Sequence, residues 1–176
     1  ENVPLVEKHA VFDDFVATLQ YLGYKVWKDV VDCTQYGLPQ NRRRMVILAS
    51  LIGAIDLISP THQKPRTVRN AIGALAAIEA GSAHNEDPFH VSSKLSPLNL
   101  SRIRASRPGG TWRDWPDRLV AECHRRESGR TYPSVYGRMT WDEPSPTITT
   151  QFYGFGNGRF GHPEQDRAIS LREGAI

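Results

Sequence analysis

Long apolar runs are missing from this sequence, as is an N-terminal segment that joins a basic start to an apolar stretch. We therefore predict neither a membrane-spanning helix nor a secretory signal peptide, and a cytoplasmic location is the expectation. Hydrophobic residues still make up 39% of the 176 residues, which is enough for the core of a globular protein.

Cysteine is also scarce. Cys33 and Cys123 are the only two, and they lie far apart without a CxxC spacing or a histidine cluster at metal-ligand intervals. This pattern indicates neither a disulfide framework nor a metal site. We expect both cysteines to be reduced thiols that pack within the fold.

Lysine supplies only five of the 22 basic residues, so the other 17 are arginines. The planar guanidinium of arginine binds phosphates and guanine edges better than the point charge of lysine does. Because the net charge is only +3, composition favours a nucleic-acid partner weakly.

Helix and strand patterns follow one another in α/β order at the start of the chain. Apolar residues from Phe12 to Leu22 recur at helical spacing before Gly23, which predicts an amphipathic helix. Tyr24 to Val31 and Met45 to Leu51 are short apolar runs around a polar turn, which predicts two strands. After these strands, prolines interrupt the chain often, and only short elements are predicted. Helices are predicted at Thr67 to Ala80 and Pro116 to Arg125, and a strand at Pro146 to Thr150. A glycine-rich loop at Gly154 to Gly161 and a capped helix from Ser170 complete the prediction.

Four motifs stand in a definite order: Glu1-Asn2-Val3, Gln40 to Arg44 (QNRRR), Arg138 to Thr149 (RMTWDEPSPTIT) and His162 to Glu173 (HPEQDRAISLRE). In this order and at these distances they resemble motifs of the DNA (cytosine-5)-methyltransferases, from the ENV motif to the final one. The resemblance implies an α/β fold: the C-terminal part of a class I S-adenosylmethionine-dependent methyltransferase domain with an inserted small irregular target-recognition domain. We expect a partial catalytic domain at residues 1–58, a target-recognition region at 59–133 and C-terminal motifs at 134–176.

The resemblance also implies catalytic residues. Cytosine C6 is attacked by a thiolate only when the negative charge that develops at N3 is neutralised by protonation or hydrogen bonding. The family gives that role to Glu1, and the arginines of the QxRxR motif, here Arg42 and Arg44, face the flipped base and its backbone. Gln40 belongs to the same loop and is a predicted substrate contact. Without the other motifs, Arg42 to Arg44 would be interpreted as an ordinary basic turn.

Basic and aromatic residues are concentrated in one stretch of the middle region. Its members are Arg102, Arg104, Arg107, Gly109, Gly110, Trp112, Arg113 and Trp115. This composition fits a loop that contacts DNA phosphates or guanine edges, and the four arginines are predicted to bind substrate. The alternative is a surface loop anchored by two core tryptophans. The histidines His62, His90 and His124 have no partner at an informative spacing and are assigned no role.

The two C-terminal motifs allow both functional and structural interpretations. Arg138 is a predicted substrate-binding residue, and the alternative is that it braces the recognition region. Arg167, Arg172 and Glu173 are predicted to hold a capped helix in place. The loop Gly154 to Gly158 lacks the GxGxxG spacing, but the family's final motif borders the cofactor pocket, so Asn157 is a predicted contact of S-adenosylmethionine.

The family needs a nucleophilic cysteine in a Pro-Cys dipeptide and a glycine-rich cofactor loop, and neither is in this sequence. We therefore expect a fragment that is inactive alone, with duplex DNA and an upstream methyltransferase half as partners, S-adenosylmethionine as cofactor of the complete enzyme and self-association of the isolated chain. Two alternatives stay open: a tRNA cytosine-5 methyltransferase, and a non-catalytic DNA-binding subunit of a split methyltransferase.

Overall fold

The computed structural model describes residues 4–176. These residues form two compact units, one that extends to Pro65 and a second from Arg66 to Ile176. The second unit includes most of the predicted recognition region and all of the predicted C-terminal segment. The boundary at residue 133 therefore stays a prediction.

The first unit begins with a 3₁₀ turn at Pro4–Lys8 and the helix α1 at Ala10–Tyr21. Phe12 and Val16, four residues apart, are buried on one face of α1, as the apolar spacing predicts. The amide of Leu22 still bonds to the carbonyl of Thr18, and the chain then leaves the helix through Gly23, whose φ is +90°. The predicted helix is confirmed, with its start two residues earlier.

The strands β1 (Lys25–Asp32) and β2 (Arg43–Ser50) pair antiparallel, with Lys25 opposite Ser50 and Asp32 opposite Arg43. Met45 of β2 packs with α1 to form the small core of this unit. Between the strands, Cys33–Tyr36 is a 3₁₀ turn, which the carboxylate of Asp32 caps by accepting from the amide of Thr34 at 3.0 Å. Cys33 is the first residue of this turn and is half-buried.

The second unit is built from short helices and long irregular segments. Its helices are α2 (Val68–Ile72), α3 (Pro97–Ala105), α4 (Glu122–Arg125), α5 (Glu127–Arg130) and α6 (Leu171–Ala175), with 3₁₀ turns at Trp112–Asp114, Asp117–Leu119 and Phe155–Asn157. One core cluster surrounds Ile103, Trp112 and Phe155, and another surrounds Ile72 and Phe160.

Three predicted elements of this unit are wrong in extent or type. The helix expected at residues 67–80 ends at Ile72: the amide of Gly73 bonds to the carbonyl of Arg69, one turn bond follows from Leu75 to Ile72, and residues 76–80 are not helical. The helix expected at 116–125 is split into a 3₁₀ turn and α4, since Val120 and Ala121 are extended. The strand expected at 146–150 does not form, because no ladder partner lies beside it among residues 4–176.

The capping box at the end of the chain is confirmed. Ser170 accepts from the amide of Glu173 at 3.0 Å, and the Glu173 carboxylate accepts from the amide of Ser170 at 2.7 Å. The helix α6 that follows is therefore fixed at its first turn by two reciprocal hydrogen bonds.

Candidate functional site

The QNRRR segment leads into β2. The loop between β1 and β2 is closed by a hydrogen bond in which the amide of Cys33 donates to the carbonyl of Arg42 at 2.9 Å. Arg42 and Arg44 are half-buried while Arg43 is exposed, which is the alternation expected of an extended chain. The Nη1 of Arg44 donates to the carbonyl of Arg43 at 2.8 Å, so its guanidinium is held close to the backbone.

Gln40 carries an unusual acceptor. Its Oε1 is buried and has no hydrogen-bond partner among residues 4–176. A buried carbonyl oxygen without a donor costs roughly 1–3 kcal/mol, and a bound ligand with an N–H group could satisfy it. The predicted catalytic residue Glu1 lies outside the described residues, so its geometry relative to this loop is not part of the site described here.

Arg138 is internal. Only 5% of its side chain is exposed, and its guanidinium donates to the carbonyls of Ile103, Ser106 and His162 at 2.8 to 3.2 Å. It also pairs with the carboxylate of Asp166. Five donors in a fixed fork suit several carbonyls of an irregular chain. We therefore correct the substrate-binding assignment of Arg138 to a brace, which was the alternative interpretation.

Arg102 is corrected in the same way. It is 9% exposed, and its Nε donates to the carbonyl of Leu119 at 2.9 Å. Its guanidinium lies over the rings of Trp115 and Tyr136, at 5.5 and 5.3 Å from their centroids. A guanidinium held inside the core by a carbonyl and two aromatic rings is not presented to a DNA phosphate.

The other three arginines of this stretch are exposed. Arg104 pairs with Asp166 at 3.1 Å, and Arg107 pairs with Asp114 at 2.8 Å. Surface ion pairs of this kind contribute little and exchange readily for a phosphate. Arg113 instead donates to a backbone carbonyl, that of Arg130, at 2.7 Å.

Trp112 and Trp115 are both buried, and their indole N–H groups donate to the carbonyl of Tyr132 and the hydroxyl of Ser106, each at 2.8 Å. The stretch is thus anchored by two core tryptophans, as the alternative interpretation expected, while Arg104, Arg107 and Arg113 remain available on its surface.

Arg167 and Glu173 form a buried pair in the final motif. The Nη1 and Nη2 of Arg167 lie 2.6 and 2.8 Å from the two carboxylate oxygens. Burial alone would raise the pKa of Glu173, but the hydrogen bonds and charge of Arg167 hold this pKa below its ordinary value. The pair is scaffolding, as predicted, because neither charged group reaches the surface.

His162 lies beside this pair. Burial first, and then the positive charges of Arg167 and Arg138, lower its pKa from 6.5 to about 4, although the carboxylate of Glu173 opposes this shift. Its Nδ1 accepts from the amides of Glu164 and Gln165 at 3.1 and 2.9 Å, which also favours the neutral ring.

Arg172 is the third predicted scaffold residue. Its Nε lies 2.6 Å from the carboxylate of Asp87, and this hydrogen bond lowers the pKa of Asp87 to about 2. Asn157, the predicted cofactor contact, is exposed and its Nδ2 donates to the carbonyl of Gln151 at 3.1 Å. Its contact with a cofactor stays a prediction.

Sequence reasoning missed two buried histidines. His90 contacts the hydroxyl of Ser170 and the carbonyl of Ala76, both at 2.8 Å. His124 stacks on Trp112 with the ring centroids 4.4 Å apart. No spacing in the sequence could have found the His90 partners, because one of them lies 80 residues away. Cys123, expected to pack inside, is exposed.

Within residues 4–176, the His, Cys, Asp and Glu side chains form no group of three that could hold a metal ion. In the same residues, none of the helices is long and apolar enough to span a membrane.

Comparison with known proteins identifies the family. The profile described as C-5 cytosine-specific DNA methylase matches residues 1–176. The type II methylase M.HgiDII of Herpetosiphon aurantiacus is 55% identical over all of this chain and 51% of its own length. The type II methyltransferase M1.BsuMI of Bacillus subtilis is 33% identical over 99% of this chain and 40% of its own length. The chain thus spans about half the length of these relatives or less.

A solved structure supports the fold. A crystal structure described as a candidate DNA modification methyltransferase encoded within an E. coli prophage aligns with a TM-score of 0.60, at 17% identity, over 95% of this chain and 53% of that one. The described residues therefore share the fold of part of a methyltransferase. Together with the match along its whole length, this places the chain in the family of C-5 cytosine-specific DNA methylases.

Proposed function

We propose that this chain supplies the target-cytosine contacts and DNA-binding surface of a DNA cytosine-5 methyltransferase. The observation that carries the proposal is the match of all 176 residues to the family, together with the half-buried arginines of the QNRRR segment. In this proposal the nucleophilic cysteine and the cofactor loop belong to an upstream half of the enzyme.

The QNRRR segment binds the flipped base and its backbone in this proposal. Arg42 and Arg44 are cationic groups on the same side of the chain, suited to a phosphate or to the developing charge of the ring. The partnerless Oε1 of Gln40 accepts from an N–H group of the base. Glu1 acts at cytosine N3, a role implied by the family motif alone.

The exposed arginines Arg104, Arg107 and Arg113 contact the duplex, while Arg102 and Arg138 hold the loop that carries them. An exchange of a surface carboxylate for a DNA phosphate releases counterions, which favours binding at low salt. The proposal therefore assigns backbone positioning to this loop. The inserted target-recognition domain and the cytoplasmic location expected from the sequence are parts of the same proposal.

S-adenosylmethionine would supply the methyl group in the complete enzyme. One N–H of the Asn157 amide is bonded to the carbonyl of Gln151, and its second N–H and its oxygen would be the groups that contact the cofactor.

Methyl-transfer complementation tests this proposal. Labelled methyl transfer from S-adenosylmethionine to duplex DNA is measured for this chain alone and for the chain mixed with the separately made upstream half of the methyltransferase. We expect activity in the mixture only, and its loss in Glu1→Gln and Arg44→Gln mixtures.

Lys8→Gln, which removes an exposed charge from the same unit, is the matched control and should keep its activity. Activity of the chain alone, or preferred methylation of tRNA in competition with duplex DNA, would contradict the proposal.

A further inference from the structure

A cleft of about 500 Å³ opens in the second unit beside the two core tryptophans. Its wall includes Trp112, Arg113, Asp117, His124, Arg125 and Arg130. Three guanidinium groups and one carboxylate give this wall an excess of positive charge. None of the predicted motifs includes His124, Arg125 or Arg130.

Two of the arginines are oriented by backbone carbonyls. Arg113 donates to the carbonyl of Arg130 at 2.7 Å, and Arg125 donates to the carbonyl of Asp117. The guanidinium of Arg113 also lies 5.6 Å from the centroid of the Trp112 ring. Within residues 4–176, Arg113 and Arg130 form no ion pair, so their charge is available to an anion from outside.

His124 is the second, independent indication of a ligand. Its side chain is buried, with the residue 6% exposed, and its Nε2 has no hydrogen-bond partner among residues 4–176. Its Nδ1 lies 3.4 Å from the carbonyl of Gly129, and because a carbonyl only accepts, Nδ1 carries the proton. In the neutral ring Nε2 is then an acceptor that lacks a donor, at a place lined by arginines.

We propose that this cleft binds a backbone phosphate of the duplex, held by Arg113, Arg125 and Arg130, with a hydration water of the phosphate donating to Nε2 of His124. The inference rests on the proposed function, since it names a further contact of the same DNA. It extends the DNA-binding surface beyond the predicted stretch that ends at Trp115. A phosphate meets the charge of the cleft, and the bridging water satisfies the remaining buried acceptor.

The salt dependence of DNA binding tests the cleft. Binding of a labelled duplex by this chain is followed by fluorescence anisotropy between about 50 and 200 mM NaCl. Arg130→Gln should weaken binding about fivefold at the low-salt end and reduce the slope of log K against log salt by about 1. His124→Phe, which keeps a ring against Trp112, should weaken binding about twofold with little change in slope.

Arg126→Gln is the matched control, because Arg126 is exposed on the same segment and does not line the cleft. It should change affinity less than Arg130→Gln does. The Arg130 side chain has no described hydrogen bond to lose, so Arg130→Gln should fold with an unchanged melting temperature.

Duplex binding with the same slope in Arg130→Gln and wild type would overturn the cleft and leave the proposed function intact. Absence of duplex binding by the wild type would overturn both. Inorganic phosphate, added at constant ionic strength, shows whether the cleft binds a DNA phosphate or a free phosphate ion. If it raises the melting temperature of the wild type while DNA affinity is unaffected by Arg130→Gln, the cleft is a free-anion site and the DNA assignment is wrong.

Discussion

Most basic residues of this chain are arginines, and individual arginines differ greatly in burial and in the partners of their guanidinium groups. Arg104 is exposed beside a carboxylate, whereas Arg138 is buried among carbonyls. The sequence places both in basic, motif-like segments, and it could not separate them because the carbonyls that Arg138 contacts lie 24 to 35 residues away. The alternation of half-buried and exposed arginines in QNRRR was predictable because the strand period alone determines it.

The brace formed by Arg138 leads to a stability prediction. Arg138→Met removes the donors from the carbonyls of Ile103, Ser106 and His162 and leaves Asp166 with one fewer partner. We expect the free energy of unfolding to fall by at least ~3 kcal/mol, measured by urea denaturation. Arg159→Met, at an exposed arginine, is the control and should stay within about 0.5 kcal/mol of the wild type.

The depressed pKa of His162 predicts a pH dependence. In the unfolded chain this imidazole binds a proton near pH 6.5, whereas in the folded chain it does so only near 4. The unfolded state therefore binds more protons between these values, so stability is complete above pH 6.5 and falls as the pH drops toward 4. The loss attributable to His162 is about 3 kcal/mol.

The measurement is the difference between wild type and His162→Gln, because this difference isolates the contribution of His162. The glutamine oxygen keeps an acceptor near the amides of Glu164 and Gln165 but does not titrate. Unfolding free energies from pH 7 to 4 should decline less steeply in the variant. Parallel declines would mean that His162 does not set this slope.

At the level of elements, local signals predicted the first unit better than the second. The helix α1 and the pair β1–β2 follow from apolar periodicity and a polar turn, which are local properties. In the second unit, buried side chains such as Arg167 and His90 replace helical and strand bonding as the partners of backbone groups. Such contacts join residues far apart, and no window of sequence contains them.

The cap of α6 gives a prediction at this level. Ser170→Ala removes the acceptor for the amide of Glu173 and also the partner of the buried His90 ring. Thr67→Ala removes an otherwise similar cap, in which Thr67 accepts from the amide of Asn70, at a more exposed site. We expect a loss of about 1 kcal/mol for Thr67→Ala and about 2 to 3 kcal/mol for Ser170→Ala in thermal unfolding. Equal losses would show that the His90 contact adds nothing.

For the whole molecule, the first unit exposes several large apolar side chains. The exposed residues include Leu5, Val11, Phe15, Tyr21, Leu22, Leu51 and Ile52. Within the described part of the chain its sheet has two strands only, so strand edges are open as well. Apolar surface and open edges of this kind are covered by a partner chain or cause self-association.

We therefore expect the isolated chain to associate with itself, with a mass in light scattering that rises with concentration. Val11 and Phe15 are four residues apart on the exposed face of α1, so Val11→Glu together with Phe15→Glu adds charge there without disturbing the buried Phe12 and Val16. This double variant should shift the mass toward that of a monomer. Tyr132→Glu, at an exposed aromatic of the second unit, is the control and should associate as the wild type does. A concentration-independent monomer in the wild type would show that the exposed apolar face of the first unit does not drive association.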